Sequence, residues 1–317
     1  MSKAKGYNSQ LALGYETAYG KTPTSVKGYN MPFNQSKIAI KQNLIESSTI
    51  RGRRDKEQPA LGNIDVSGSI VVPVDQIGIG FWLAGMFGSP TTTGSGDPYT
   101  HIFKVTDSQP SLVLEQQYSD ITAYEMFNGC KLNKFSFTYG GDKELTANID
   151  IIGAQRTVGA TPLASPLTDI SLLKFSDFQG TIEEGGSQLA IVTEATLNVD
   201  FGLDGTSYAI GGGGYRTELP EGYLQVSGTI KAFFEDTVLL NKAINNTKTS
   251  LNFKFANGTH SLGFNMEEVM IQQTSPGIEN EKGIMINLPF KAFYDSCASG
   301  SIIVATLVND HVSYLTA

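Results

Sequence analysis

Apolar and polar residues alternate along most of the chain, a pattern typical of β-strands that bury one face. In residues 63–74, for example, Ile64, Val66, Ile70 and Val72 alternate with polar or small residues. The same period of two predicts strands at 37–40, 63–74, 111–118, 131–139, 144–152, 196–201, 223–234, 250–255, 262–271, 284–294 and 302–308. The pattern therefore predicts a mainly β fold.

Two short helices are predicted between these strands. Asp75 is a candidate N-cap for a helix that runs through apolar residues to Phe87. Asp236 stands in the same position before a second apolar run at 238–244. Each predicted helix directly follows a strongly alternating strand.

A nine-residue phrase occurs twice, 160 positions apart: residues 62–70 read GNIDVSGSI and residues 222–230 read GYLQVSGTI. Five of the nine residues are identical, whereas unrelated positions match at roughly one in fifteen. A weaker match, Asn148-Ile149 with Asn287-Leu288, is 139 positions apart. We interpret the pair as two copies of one β-domain. The first copy holds about 21 extra residues, which we place at 89–109.

The repeat predicts the domain organisation. Each copy is expected to be a β-sandwich or half-barrel with one short flanking helix, similar to its tandem partner. The glycine run 211–214 predicts a mobile loop. The expected segments are an N-terminal arm at 1–33, a first domain at 34–155, a linker at 156–185, a second domain at 186–296, and a C-terminal strand or extension at 297–317.

Composition and charge fit a β protein that is made and kept in a reducing compartment. The 317 residues are 40% hydrophobic and include 34 glycines, and the two cysteines form no disulfide framework. No signal peptide is expected, and the apolar stretch 77–88 is too short to cross a membrane. Residues 1–56 carry a net charge of +7, which leaves −15 on the remainder. The basic segment is either a solvated tail or an arm that docks on another subunit.

Motifs for catalysis or cofactor binding are not found. His101, His260 and His311 form no metal-spaced pair, and the chain carries no nucleophile elbow, Walker loop or dinucleotide glycine pattern. We therefore expect no enzyme activity, no metal and no cofactor. The basic run is interpreted as a loop between subunits or between rings, with nucleic-acid binding as the alternative; its candidate residues are Arg51, Arg53, Arg54, Asp55 and Lys56.

Four segments in order, residues 13–24, 51–55, 66–70 and 87–88, resemble the tail tube proteins of long-tailed bacteriophages. The resemblance spans most of the first copy and reaches the second through the repeat. It implies a virion structural protein that stacks as rings into a hollow tail tube, the conduit for DNA ejection. It also implies assembly in the host bacterial cytoplasm, no membrane contact, and partners among the tape measure protein, the tail terminator and the baseplate or tail-tip proteins.

The duplication changes the expected ring. If each copy lends about four strands to a shared barrel, as the resemblance implies, about 24 strands give a backbone diameter of roughly 37–48 Å. That leaves room for a duplex of about 20 Å, which passes without sequence-specific binding. Six copies correspond to three chains, so we expect a homotrimeric ring with pseudo-sixfold symmetry. The candidate lumen-facing residues are Asp65, Ser67, Ser69, Gln225, Ser227 and Thr229.

Two other classes of function compete with a tail tube. A non-catalytic baseplate or carbohydrate-binding β-sandwich module would stay monomeric or form closed oligomers, and would carry an exposed aromatic cluster. An enzyme would need a catalytic constellation, which the sequence does not offer.

Overall fold

A computed structural model describes residues 3–23, 27–95, 97–189, 191–278, 281 and 283–314. The mainly β fold predicted from the sequence is confirmed. In chain order, the strands and α-helices of the described residues are β1 Ser9–Tyr15, β2 Tyr29–Asn30, β3 Gln35–Ser36, β4 Ala39–Ile45, β5 Ala60–Pro73, α1 Gly78–Phe87, β6 Thr91–Thr93, β7 Tyr99–Lys104, β8 Leu112–Tyr118, β9 Ala123–Tyr139, β10 Thr146–Gly153, β11 Gln155–Gly159, β12 Thr168–Asp169, β13 Gly180–Glu184, β14 Ser187–Gln188, β15 Val192–Asp200, β16 Gln225–Phe233, α2 Val238–Ile244, β17 Thr249–Asn257, β18 His260–Ile271, β19 Met285–Ala292 and β20 Val304–Asn309.

One antiparallel sheet, called here the central sheet, runs through both halves of the chain. Its strand order is β4-β5-β10-β9-β15-β16-β19, and the last three residues of β18 pair with β19. The halves meet where Ala195–Asp200 of β15 pairs with β9. The sheet is therefore continuous across the middle of the chain and ends at β4 on one side and at β19 and β18 on the other.

Two outer sheets complete the fold. The first has the order β12-β2-β1-β8-β9-β11, and the second has the order β14-β13-β17-β18-β20-β7-β6. Strands β9 and β18 each belong to an outer sheet through their first part and to the central sheet through their last part. Phe137 of β9 packs within about 6 Å of Phe255 and Phe264 of the second outer sheet. The core is therefore shared between the halves.

The two halves pair their strands in matching register. Ile70 of β5 faces Ile149 of β10, and Ile230 of β16 faces Leu288 of β19. These partners are separated by the same 160 and 139 positions as the sequence repeats. Both predicted helices follow the repeated strands: Asp75 accepts hydrogen bonds from the N–H groups of Gly78 and Ile79 at 2.8 Å, and Asp236 accepts one from Val238 at 2.8 Å.

Residues 89–109, which were predicted to be extra in the first copy, include strands β6 and β7. Gly96 in this range lies outside the described residues. Strand β7 pairs with β20, so this segment of the first half extends the outer sheet of the second half. The side chain of Phe103 in this segment is fully buried.

The segment expected to be an N-terminal arm differs from that expectation. Ser9–Tyr15 is strand β1, paired with β8 along its whole length, and Leu11, Ala12 and Leu13 are all buried. Consecutive buried residues mean that both faces of the strand are covered, which removes the alternation used for prediction. Residues 1–2 and 24–26 of the expected arm, and 315–317 of the expected C-terminal extension, lie outside the described residues.

The glycine shared by the two repeated phrases is required by close backbone packing. A Cβ at Gly68 would lie 2.2 Å from the carbonyl oxygen of Lys37, and a Cβ at Gly228 would lie 2.0 Å from that of Thr196. Neither oxygen can move without shifting the backbone to which it belongs. The repeat therefore keeps a glycine where the neighbouring backbone comes too near for any side chain.

We expect Gly228→Ala to lower the free energy of unfolding by about 2–3 kcal/mol, because the added methyl displaces a neighbouring strand and the Phe290 ring. Gly263→Ala is the matched control, since the nearest atom to a Cβ there lies 3.8 Å away. Urea unfolding followed by fluorescence measures both. Equal stability of the two variants would contradict this packing argument.

Candidate assembly surfaces

The six residues predicted to face a lumen lie on one face of the central sheet. Their neighbours along β5 and β16, such as Val66, Ile70, Val226 and Ile230, are buried on the opposite face. Three strands separate β5 from β16, so the two sets are about 19 Å apart. The structure therefore brings Asp65, Ser67, Ser69, Gln225, Ser227 and Thr229 onto a single surface, called here the polar face.

Strand register arranges the polar face in rows. One row joins Ser69, Asp150, Lys134, Asp200 and Gln225 as successive cross-strand partners. Lys134 lies 3.0 Å from Asp200, and this hydrogen bond raises the pKa of Lys134. A second row joins Val71, Asn148, Ser136, Asn198, Ser227 and Lys291. Charges of both signs are therefore interspersed with amides and hydroxyls, so the surface has no dominant positive field.

The predicted basic residues lie away from the polar face, in the loop that precedes the first residue of β5. They occupy the loop between β4 and β5, which is exposed from residue 46 to residue 56. The cations pair locally with nearby carboxylates: Arg51 with Glu57, Arg53 with Asp55, and Lys56 with Glu46. Exposed pairs of this kind contribute little to stability. The loop therefore remains free to exchange these partners for others.

Exposed apolar side chains accompany the basic loop. Leu44 is 61% exposed, Ile50 is 94% exposed and Leu61 is 68% exposed, and Ile45 lies beside them with a similar exposure. We call residues 42–64 the basic hairpin. A group of large apolar residues on a projecting hairpin is typical of a surface that another protein covers.

The segment between β15 and β16, residues 201–224, was not identified from the sequence as an interaction element. Its Arg216 is buried and donates hydrogen bonds to the carbonyl oxygens of Val66 at 3.2 Å and Gly153 at 2.9 Å, and to the carboxylate of Asp65. The glycine run expected to be mobile is held at Gly214, whose carbonyl oxygen accepts the N–H of Ile64 at 2.8 Å. A single arginine in a glycine-rich loop gives no sequence signal for this docking.

A second contact fixes residues 201–224 on the first half. Lys131 of β9 donates to the carboxylate of Glu221 and to the carbonyl oxygen of Leu219 at 3.1 Å. Burial opposes ionisation of Glu221, but the hydrogen bonds from Lys131 and from the N–H of Gln109 outweigh it and hold its pKa below the usual value. The segment therefore covers the end of β5, β9 and β10 in the first half.

The two cysteines and His101 are buried inside the fold. Cys130 and Cys297 are buried free thiols, and burial raises the pKa of Cys297 to about 11. His101 bonds to Thr92 and to the carbonyl oxygen of His311, both at 2.8 Å. Across the described ranges, no three His, Cys, Asp or Glu residues are grouped as metal ligands. Over the same residues, no helix has the length and apolarity needed to span a membrane.

We expect Arg216→Met to lower the free energy of unfolding by about 2–4 kcal/mol, because it removes a buried cation and leaves its acceptors unpaired. Cleavage by a protease within residues 205–217 should increase at the same time. Arg156→Met is the control, since Arg156 pairs with Glu125 near the surface. Unchanged protease resistance in the Arg216 variant would contradict the docking role.

Comparison with known proteins identifies the family of this chain. The model of the phage tail tube protein family matches residues 6–292 of the 317. A search of curated proteins finds no match. The matched range contains both repeated strands, the basic hairpin and the whole central sheet. Because the match covers most of the chain, this protein belongs to the phage tail tube protein family.

Proposed function

We propose that the chain polymerises as stacked rings into the tail tube of the virion and that the tube carries DNA during ejection. Family membership supports the structural role in the tail. The observation that carries the finer proposal is the central sheet, which runs through both halves and places the six candidate lumen residues on one polar face. A sheet of this kind, closed on itself with further copies, lines a channel.

The proposal includes an internal duplication. Matching register in the two halves supports it, because β4-β5-β10-β9 and β15-β16-β19-β18 have equivalent pairings. Domains at 34–155 and 186–296 then each contribute four strands to the channel wall. The joint between β9 and β15 supplies a pattern for the joint between chains, in which the β19 and β18 edge of one chain receives β4 of the next.

The number of chains follows from the strand count. Eight central strands per chain reach a barrel of about 24 strands with three chains, wide enough for a duplex of about 20 Å. Six chains would give about 48 strands and a bore far wider than DNA needs. We therefore propose a trimeric ring with pseudo-sixfold symmetry.

The proposed role is transport without catalysis. The polar face mixes lysines and carboxylates, so it offers DNA phosphates no continuous positive track to hold them. Assembly in the host cytoplasm and contacts with the tape measure protein, the tail terminator and the baseplate or tail-tip proteins belong to the same proposal.

Image averaging of negatively stained or frozen tubes measures the ring. We expect hollow tubes whose rings contain three chains and show a dominant sixfold repeat with a weaker threefold modulation. Native mass spectrometry of unstacked rings provides a second count. Six chains per ring would overturn the trimer, and persistent monomers at high concentration would favour a baseplate or carbohydrate-binding module over a tube.

Lysines added to the polar face test the lumen assignment. Ser69 and Thr229 are equivalent positions of the repeated phrase on the polar face, whereas Asp65 binds the buried Arg216 and is a poor site for substitution. We expect the double variant Ser69→Lys and Thr229→Lys to slow DNA ejection about tenfold at about 50 mM salt and to recover near 200 mM, because the added cations hold phosphates.

The control for the lumen experiment is Ser69→Gln, which enlarges the same side chain without charge. It should eject DNA at the wild-type rate at both salt concentrations. If the lysine variant forms normal tubes and also ejects DNA normally at low salt, these residues do not line the channel.

A further inference from the structure

We propose that the basic hairpin, residues 42–64, docks on the second half of a neighbouring chain within the same ring. There it would cover the end of β16 and β19 and place Leu61 on Met270. The proposal rests on the ring described above and specifies the contact that closes it. The structure already contains the same contact once, between the two halves of one chain.

The basic hairpin and residues 201–224 are equivalent hairpins. They contain 23 and 24 residues, and each joins the first two central strands of its half. Lys41 faces Asp65 at the base of one, and Asp200 faces Gln225 at the base of the other. Further along, Ile45 pairs with Ala60, and the N–H of Asp204 bonds to the carbonyl oxygen of Pro220. The two hairpins therefore continue in the same register.

Residues 201–224 show where such a hairpin lies. They reach back over the preceding half of the central sheet, with Arg216 on Asp65, Val66 and Gly153. The basic hairpin begins at β4, the first strand of the central sheet, so its own chain offers no preceding half among the residues of that sheet. Only the second half of another chain can supply the equivalent surface, which consists of Gln225, Val226 and Ala292 at the same repeat distances.

Side-chain types at the equivalent positions change together. In the chain, Glu221 of one hairpin pairs with Lys131 of β9. The residue 160 positions before Glu221 is Leu61, and the residue 139 positions after Lys131 is Met270. Register supports the second step, because Lys131 faces Ile152 and Met270 faces Lys291, 139 positions later in both cases. An ion pair in one contact thus corresponds to an apolar pair in the other.

Exposure agrees with a missing partner. Leu203 is 9% exposed where residues 201–224 lie on the first half, whereas its equivalent, Leu44, is 61% exposed. Leu61 is 68% exposed, although Met270, its proposed partner in the neighbouring chain, is also apolar. Lys56 stands 160 positions before Arg216, so the basic loop supplies a cation at the place where the internal contact uses one. A second copy of this chain is the occupant that these features fit.

Charge exchange at this pair tests the contact. Leu61→Glu should raise the protein concentration needed for ring assembly by about tenfold or more, because it buries an unpaired carboxylate against Met270. Adding Met270→Lys should restore assembly, because the pair then reproduces Glu221 with Lys131. The restored assembly should weaken as salt is raised, unlike that of the wild type. Circular dichroism of the monomers checks that each variant folds.

Two controls separate this contact from the ring itself. The reverse exchange within the chain, Lys131→Met with Glu221→Leu, should leave ring assembly at the wild-type concentration. Leu61→Cys with Met270→Cys, treated with a short bismaleimide, should give covalent species that stop at three chains. If the hairpin instead contacts the next ring, the cross-linked species will extend beyond three chains as a ladder.

The outcomes distinguish the two proposals. Absence of rings from the wild-type protein would overturn the proposed function. Normal wild-type rings with no rescue by Met270→Lys, or with a ladder in place of trimers, would overturn the docking within the ring and leave the tube proposal intact.

Discussion

The open edges of an antiparallel sheet are the constraint on which the rest of this structure depends. Backbone N–H and C=O groups along an edge strand stay unpaired within the sheet until another strand joins it. Inside the chain, β9 and β15 pair with each other and so satisfy these groups where they adjoin. The same sheet still ends at β4 and at β19 with β18. On our proposal, further chains complete these edges as the second half completes the first.

The repeated phrase has a physical reason at each kind of position. Its valine and isoleucine face the core, where Val66, Ile70, Val226 and Ile230 are almost fully buried. Its glycine meets a neighbouring carbonyl oxygen at a distance that excludes a Cβ. Its serine and threonine lie on the polar face. Sequence identity in the phrase therefore records a shared packing problem, whereas Asp65, which pairs with Arg216, is replaced by Gln225 in the second phrase.

Alternation predicted most strands of the central sheet, because each of them buries one face and exposes the other; at β4, none of whose residues is buried, it reached only the first two residues. It failed for β1, whose faces are both covered, and for two-residue strands such as β2 and β12, which are too short to show a period. The basic loop was identified from composition alone. The docking of Arg216 was not, because a lone arginine among glycines becomes an anchor only when the fold brings Val66 and Gly153 to it.

The observed contact of residues 201–224 and the proposed contact of the basic hairpin differ in a way that matters for assembly. Residues 201–224 are joined covalently to the half that they cover, so an ion pair such as Lys131 with Glu221 forms without a search between molecules. A contact between chains must desolvate both partners on each encounter, and a charged pair gains little there against its lost hydration. The proposed contact of Leu61 with Met270 would avoid that cost and would be insensitive to salt. On these proposals, duplication allows one joint to be polar and the other apolar, so the proposed ring would be threefold in its chemistry even where its strands repeat six times.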